Sequence, residues 1–229
     1  MFQQVDITVE RVMPDYYDLT NEDSLMQPAL QAAKTGALLR NYFIGAALFS
    51  SKGELIASAF GAGITAGEIF HAETQLAVLL RAGRSAGIFS SSEKYIMTTT
   101  LQPCPQCRQI CIQQQNLIVL YGASTSTSGT QLGDLLETYT NTENLRIAEN
   151  FGKPIIRKAN LTEATRNLCT QGHKKYRDTV LNSSNEVLED LMPFTDLLEL
   201  ITLANPAILT LIKKHQQEMR HQLKDIRSS

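Results

Sequence analysis

Lys94-Tyr95-Ile96-Met97-Thr98-Thr99-Thr100-Leu101-Gln102-Pro103-Cys104-Pro105-Gln106-Cys107-Arg108-Gln109 is the stretch that decides how this 229-residue chain folds. Lys94–Thr100 is rich in β-preferring residues and reads as a strand. Cys104–Gln115 reads as a helix, and Leu117–Tyr121 as the next strand. Working back, Phe70–Ala82 reads as a helix with Leu76, Val78, Leu79 and Leu80 on its buried side. The glycine-rich loop Phe60–Ile69 leads into it. Before the loop, Ile44–Phe49 and Glu54–Ala59 form a hairpin about the turn Ser50-Ser51-Lys52-Gly53. A first helix runs from about Ser24 to Leu39, on a stripe of Leu25, Leu30, Ala33, Leu38 and Leu39. Pro28 fits only near a first turn, which draws the expected start toward it. Strand–helix alternation from residue 42 to 122 predicts an α/β fold, a three-layer α/β/α sandwich with helices on both faces of one sheet. With right-handed crossovers, the loops at the carboxyl ends of the third and fourth strands gather where ligands bind.

Two short motifs carry chemistry on this frame. Cys104 and Cys107, at i and i+3, share a helix face and can both reach a metal. About thirty residues upstream stands His71-Ala72-Glu73, at the start of the preceding helix. One imidazole and two thiolates make three zinc ligands and leave a fourth tetrahedral position for water, as in a catalytic site. The spare carboxylate of Glu73 can move protons. Both motifs open helices, where the dipole and free N–H groups favour thiolates. Two other readings use the same cysteines. A thioredoxin-like redox pair also follows a strand and opens a helix. The residues before Cys104 are Gln102-Pro103 rather than an aromatic, however, and redox chemistry leaves His71-x-Glu73 without a role. A closed structural zinc site needs a fourth ligand, for which Cys111 and Cys169 are the candidates, although a free cysteine is more often a small buried hydrophobe.

The pair of motifs resembles the H-x-E…P-C-x-x-C signature of zinc nucleobase deaminases. More than the motifs agree. Tyr42-Phe43-Ile44-Gly45-Ala46-Ala47-Leu48 is similar to the first-strand segment of the cytidine deaminase-like superfamily. Leu117-Ile118-Val119-Leu120-Tyr121-Gly122-Ala123-Ser124 is similar to the fourth strand of its transfer-RNA adenosine, guanine and deoxycytidylate branches. The resemblance covers residues 22–125. It implies that His71, Cys104 and Cys107 hold Zn2+ and that Glu73 is the catalytic proton carrier. It implies ammonia release from an amino-bearing base, nucleoside or nucleotide, with a cytosine-type ring favoured. A purine or nucleic-acid-editing deaminase is the alternative. That Glu73 and His71 converge on the metal comes from the resemblance, since i and i+2 do not share a helix face. Candidates for the substrate wall are Tyr42, Phe60, Ala72 and Pro103. Tyr42 falls where cytidine deaminases stack the ring. Phe60 and Ala62 fall where those enzymes carry the Asn-x-Glu that holds ribose, so the sugar-binding residues are missing. Gly61-x-Gly63-x-x-x-Gly67 has the wrong interval for a dinucleotide fingerprint. Pro103-Cys104-Pro105-Gln106-Cys107-Arg108-Gln109 resembles the cytidine deaminase segment, whereas Cys-Pro-x-Cys also occurs in guanine deaminases.

Composition sets the limits. A 43% hydrophobic content supports one sizeable core and an appendage. A net charge of −2 and a pI near 6.1 give no basic footprint for nucleic acid. Four cysteines, two of them in a metal-like pair, fit a reducing compartment, so the sequons at Asn160 and Asn182 carry no weight. No signal peptide or membrane span is expected, and the expected location is the cytoplasm. The expected partners are a small-molecule substrate and further copies of the chain in a homo-oligomer. Residues 1–20 read as an arm or edge strand and Ser124–Thr130 as a linker. A short helix near Gln131–Tyr139 and a fifth strand at Pro154–Arg157 follow. The division expected is a catalytic domain over 1–158 and a helical C-terminal extension over 159–229. Its helices are placed at Thr162–Leu181, Glu186–Leu191 and Thr195–Leu203, with a last one opened by Asn205-Pro206. Ile208, Ile212, Met219, Leu223 and Ile226 lie on one stripe of that last helix.

Overall fold

The computed structural model describes residues 16–67, 69–124, 155–183 and 201–228. Helix α1 (Glu22–Leu38) opens earlier than Pro28 suggested. Asn21 caps it, its side-chain oxygen accepting from the Ser24 N–H at 3.1 Å, and Glu22 and Asp23 face the positive end of the dipole. Pro28 therefore sits inside the helix, buried against the core. The cap and the long buried face outweigh one missing backbone bond.

The hairpin follows as β1 (Gly45–Ser50) and β2 (Leu55–Phe60). Then come α2 (Ala72–Ser85), β3 (Tyr95–Leu101), α3 (Pro105–Ile112) and β4 (Leu117–Ala123). Beyond residue 154 lie β5 (Ile155–Lys158), α4 (Glu163–Ser183), β6 (Thr202–Leu203) and α5 (Ala207–Ser228). The sheet order is β5-β4-β3-β1-β2-β6. Because β1 is antiparallel to both β2 and β3, those two run the same way, and β4 and β5 follow them in parallel. The carboxyl ends of β2 and β3 therefore lie together, with the start of β1 between them.

Alternation along β1 sorts the core into two layers. Ala46 and Leu48 join Leu76, Leu79 and Leu80 of α2, Cys111 of α3 and Ile212 of α5. Ala47 and Phe49 join Leu25, Met26 and Ala29 of α1 with Cys169 of α4. Every residue of β1 is buried, as a strand covered on both faces requires. The small residues of Gly45-Ala46-Ala47 have a packing reason. A Cβ on Gly45 would stand 2.2 Å from the Ala29 carbonyl oxygen and 2.4 Å from the Ala33 nitrogen, so α1 lies with its backbone against β1. Gly122 admits α4 in the same way, since a Cβ there would meet the Cys169 sulfur at 2.5 Å.

The C-terminal segment departs from the all-helical expectation. Thr202–Leu203, expected in a helix, is a strand that pairs antiparallel with Ala57 and Ser58 of β2. The open edge of β2 offers backbone donors and acceptors, and Ile201 beside it drops into the α2-side core. Asn205 caps α5, accepting from the Ala207 N–H at 3.0 Å. The helices expected at 131–139 and 186–191, the linker beyond Ser124 and the arm before Tyr16 lie outside the described residues. Tyr16 itself makes an isolated bridge to Glu54. No described helix is long and apolar enough to cross a membrane.

Candidate active site

Each candidate metal ligand of the sequence motifs stands at the cap or in the first turn of a helix. His71 caps α2 with an extended backbone and Cys104 caps α3, its sulfur 3.5 Å from the Cys107 N–H. These helices leave the carboxyl ends of β2 and β3, not of the third and fourth strands as expected, because β1 between them is antiparallel to both and so makes the two run the same way. His71 Nδ1 lies 3.2 Å from the Cys107 sulfur and 3.4 Å from that of Cys104, and the two sulfurs are 3.4 Å apart. Tetrahedral zinc with bonds of about 2.0–2.3 Å needs ligand–ligand edges of about 3.5–3.8 Å, so a shift of a few tenths of an ångström admits the ion. Among the described residues no further His, Cys, Asp or Glu joins this cluster. Cys111 stays buried in the α2-side core, and Cys169 packs behind Gly122 on the other face. Among the described residues the donor set is thus one imidazole and two sulfurs.

The two sulfurs act on each other, and the Cys107 thiol is pushed up by its hydrogen bond with Cys104 and by burial. The Cys104 thiol is pulled down to about 4 by its hydrogen bond with Cys107, with His71 and the Cys107 N–H acting in the same direction. Burial holds the Cys111 thiol up, as expected of an inert core sulfur. Glu73, the second residue of α2, is 3% exposed, and burial raises its pKa above the usual carboxylate range. Its Oε1 accepts from the Thr99 hydroxyl at 2.9 Å. Thr74 places its hydroxyl 3.5 Å from the Cys107 sulfur.

The family described as the cytidine and deoxycytidylate deaminase zinc-binding region matches residues 19–123. Over those residues, a little under half of the chain, the sequence matches the cytidine deaminase-like family. A guanine deaminase structure from Nitrosomonas europaea is 14% identical, covering 72% of this chain and 89% of that one, at a TM-score of 0.51. A mutant protein solved with 8-azaguanine is 16% identical over 69% of this chain and 84% of its own, at 0.51. A structure from a study of transfer-RNA wobble-position adenosine deaminases is 21% identical over 60% and 98%, at 0.43. At such identities the likeness is one of fold. No curated protein matches the chain. The cytidine deaminase-like domain is a zinc-binding, hydrolytic deaminase in class.

The remaining wall candidates of this deaminase domain fall in different places. Ala72 is fully buried between His71 and Glu73, and Pro103 is buried just before Cys104. The Tyr42 ring lies 6.4 Å from that of His173 on α4, so the C-terminal segment reaches this end of the sheet. Phe60 packs on α1, where a Cβ on Gly36 would meet its ring at 3.1 Å, and its carbonyl accepts from Gln75 Nε2 at 2.8 Å. The loop after Phe60 is also tied down by a residue that no sequence pattern singles out. Asn41 is fully buried; its Oδ1 accepts from the N–H groups of Ile64 and Thr65, both at 3.2 Å, and its Nδ2 donates to Thr65 Oγ1 at 3.0 Å. That clamp sets Gly63 against the His71 ring, where a Cβ would stand 3.8 Å from Cδ2. Thr99 was legible only as one of three β-preferring threonines, although period two puts it on the same face as Met97, toward α2.

Proposed function

We propose that this protein deaminates an amino-bearing base, nucleoside or related small heterocycle with a cytosine-type ring. His71, Cys104 and Cys107 would hold Zn2+, and Glu73 would carry the protons. The observation behind this reading is a single buried carboxylate set beside, and outside, a cluster of three zinc-type donors. Bound there, zinc supplies the Lewis acidity that makes water a nucleophile at neutral pH. Glu73 takes a proton from the attacking water and hands it to the ring nitrogen next to the amine-bearing carbon. It would then take the second proton from the new hydroxyl on that carbon and give it to the amine, whose C–N bond breaks as the carbonyl forms. Water and the amine are consumed, and ammonia and a ring carbonyl result. Burial of Glu73 favours this work, since a base that must receive a proton gains from a raised pKa.

The cytosine preference rests on Pro103–Gln109 and on Tyr42 at the strand end. A guanine-type ring is the second reading, supported by the guanine deaminase and 8-azaguanine complexes that share the fold. The balanced charge of the chain speaks against nucleic acid as substrate. Exposed Leu38, Leu39, Leu211 and Met219 support assembly into a homo-oligomer, which sedimentation would read. The test of the reaction is ammonia release from cytosine, cytidine, deoxycytidylate, guanine and adenosine, with zinc content measured alongside. Turnover of at least one, with cytosine-type rings leading, is the expected result. Folded, zinc-loaded protein that is inert on all five would overturn the proposal.

A further inference from the structure

We propose that Thr99 is the positioning residue for Glu73, fixing the direction of its carboxyl group through a hydroxyl that the sheet holds in place. The inference rests on the reading of Glu73 as proton carrier. Three threonines in a row on β3 do three different jobs. Thr98 Oγ1 donates to the Leu25 carbonyl on the α1 face at 3.0 Å. Thr100 Oγ1 accepts from the Gly45 N–H at 3.2 Å. Thr99 alone turns toward α2, where its Oγ1 meets Glu73 Oε1 at 2.9 Å.

The support behind Thr99 is rigid. Its backbone is paired on both sides, with Ala46 of β1 and Tyr121 of β4, and its side chain is fully buried. A β-branched side chain in a strand has few χ1 choices, so the hydroxyl points where the sheet aims it. A glutamate has three torsions to fix, and one short bond from a fixed hydroxyl removes most of that freedom. It engages Oε1 and leaves Oε2 for the water and the ring.

The same hydroxyl has a second acceptor, the Leu101 carbonyl at 3.1 Å. A threonine owns one hydrogen and two lone pairs, so it cannot donate to both at once. With Glu73 as carboxylate, the hydrogen points to Oε1. The Leu101 carbonyl then stands behind the hydroxyl as its alternative acceptor, so the Thr99 side chain is bonded in either rotor position. Leu101 also leads directly into Gln102-Pro103-Cys104, so this hydroxyl ties the carboxylate to the strand end that carries a candidate metal ligand.

The test compares Thr99→Val, Thr99→Ser and Thr98→Val with wild type, on whichever amino base wild type deaminates. Thr99→Val keeps the shape and removes the hydroxyl. Its kcat should fall about ten- to a hundredfold, the loss of one hydrogen bond to a charged group, with KM within about twofold. Zinc content should be unchanged. The infrared carboxyl band of Glu73, assigned by difference against Glu73→Gln, should shift. Thr99→Ser should restore most of kcat. Thr98→Val loses a buried hydroxyl of the same strand and should keep kcat, whatever it costs in stability. Wild-type kcat in Thr99→Val would overturn the proposal, and so would an equal loss of kcat in Thr98→Val. Should Thr99→Val fail to fold, Thr99→Ala against Thr99→Ser makes the same comparison. Glu73→Gln separates the two layers of the argument. If that variant turns over normally, the proton-carrier reading has failed; if it is dead while Thr99→Val is intact, only the positioning role has failed.

Discussion

The donor corner and the loop in front of it meet at the His71 ring, yet they are held by different means. His71, Cys104 and Cys107 each come from the cap or first turn of a helix that is packed on the sheet. Residues 61–67 are tied at their start by backbone bonds from Gly61 to Ile44 and from Ala62 to Phe70, and in their middle by one side chain, Asn41. The proposed zinc donors are thus fixed by helices packed on the sheet, whereas the middle of the loop beside them is anchored to the rest of the fold through one amide. A protein arranged this way can change substrate without disturbing its reaction. Changes in the corner should therefore strike kcat, and changes in the loop should strike KM.

The largest effect is expected at the corner. Glu73→Ala should keep its zinc and lose at least about two orders of magnitude in kcat, the scale of general acid–base catalysis. Steady-state ammonia release beside metal analysis reads both quantities. Near-normal turnover would break the comparison at its first term. Next in size is a test of the frame itself. Gly45→Val would force a side chain onto the α1 backbone, 2.2 Å from the Ala29 oxygen. A loss of about 3 kcal/mol or more is expected, at the upper end of overpacking. Urea unfolding measures it, and a neutral outcome would mean that α1 can lift from β1 without penalty.

The loop gives the third prediction. Asn41→Ala leaves the N–H groups of Ile64 and Thr65 without their buried acceptor, which costs about 1–3 kcal/mol locally. With the clamp gone, Gly63 is no longer held on the His71 ring. The expectation is a several-fold rise in KM, a kcat within about threefold of wild type and full zinc content. A fall in kcat with KM unmoved would show that the loop belongs to the catalytic corner after all.

How much of this was legible in the sequence follows from the kind of force at each place. The strands and helices of residues 42–122 could be read because hydrophobic period and chain punctuation are local. The corner could be read because zinc demands particular side chains at particular intervals. Pro28 misled, since a local penalty in α1 is outweighed by the Asn21 cap and by burial against β1, neither visible in a helical stripe. Thr202–Leu203 misled for the opposite reason. Nothing in Leu-Glu-Leu-Ile-Thr-Leu marks a strand; the vacant edge of β2 does, and that edge lies about 145 residues earlier in the chain. Asn41 and Thr99 escaped because a lone polar residue announces nothing until its partners, 23 to 26 residues away, come into reach.

A contact remote from both regions supplies the smallest effect and sharpens the comparison. Arg157 of β5 donates to the Glu22 carboxylate at the start of α1, joining the far edge of the sheet to the first helix. That hydrogen bond holds the Glu22 carboxyl below its ordinary range, against a smaller opposing push from burial. A carboxyl depressed in the folded state stabilises the fold above its unfolded value, and the gain fades as pH falls through the lowered folded value. The pair is partly exposed, so its worth is at most about 1 kcal/mol. Glu22→Gln should therefore melt slightly below wild type at pH 7. The two melting temperatures should converge as pH drops below about 4, the region where an ordinary glutamate titrates. At neutral pH neither kcat nor KM should move. A change in either would mean that activity tracks general stability, and the separation between corner and loop would lose its basis.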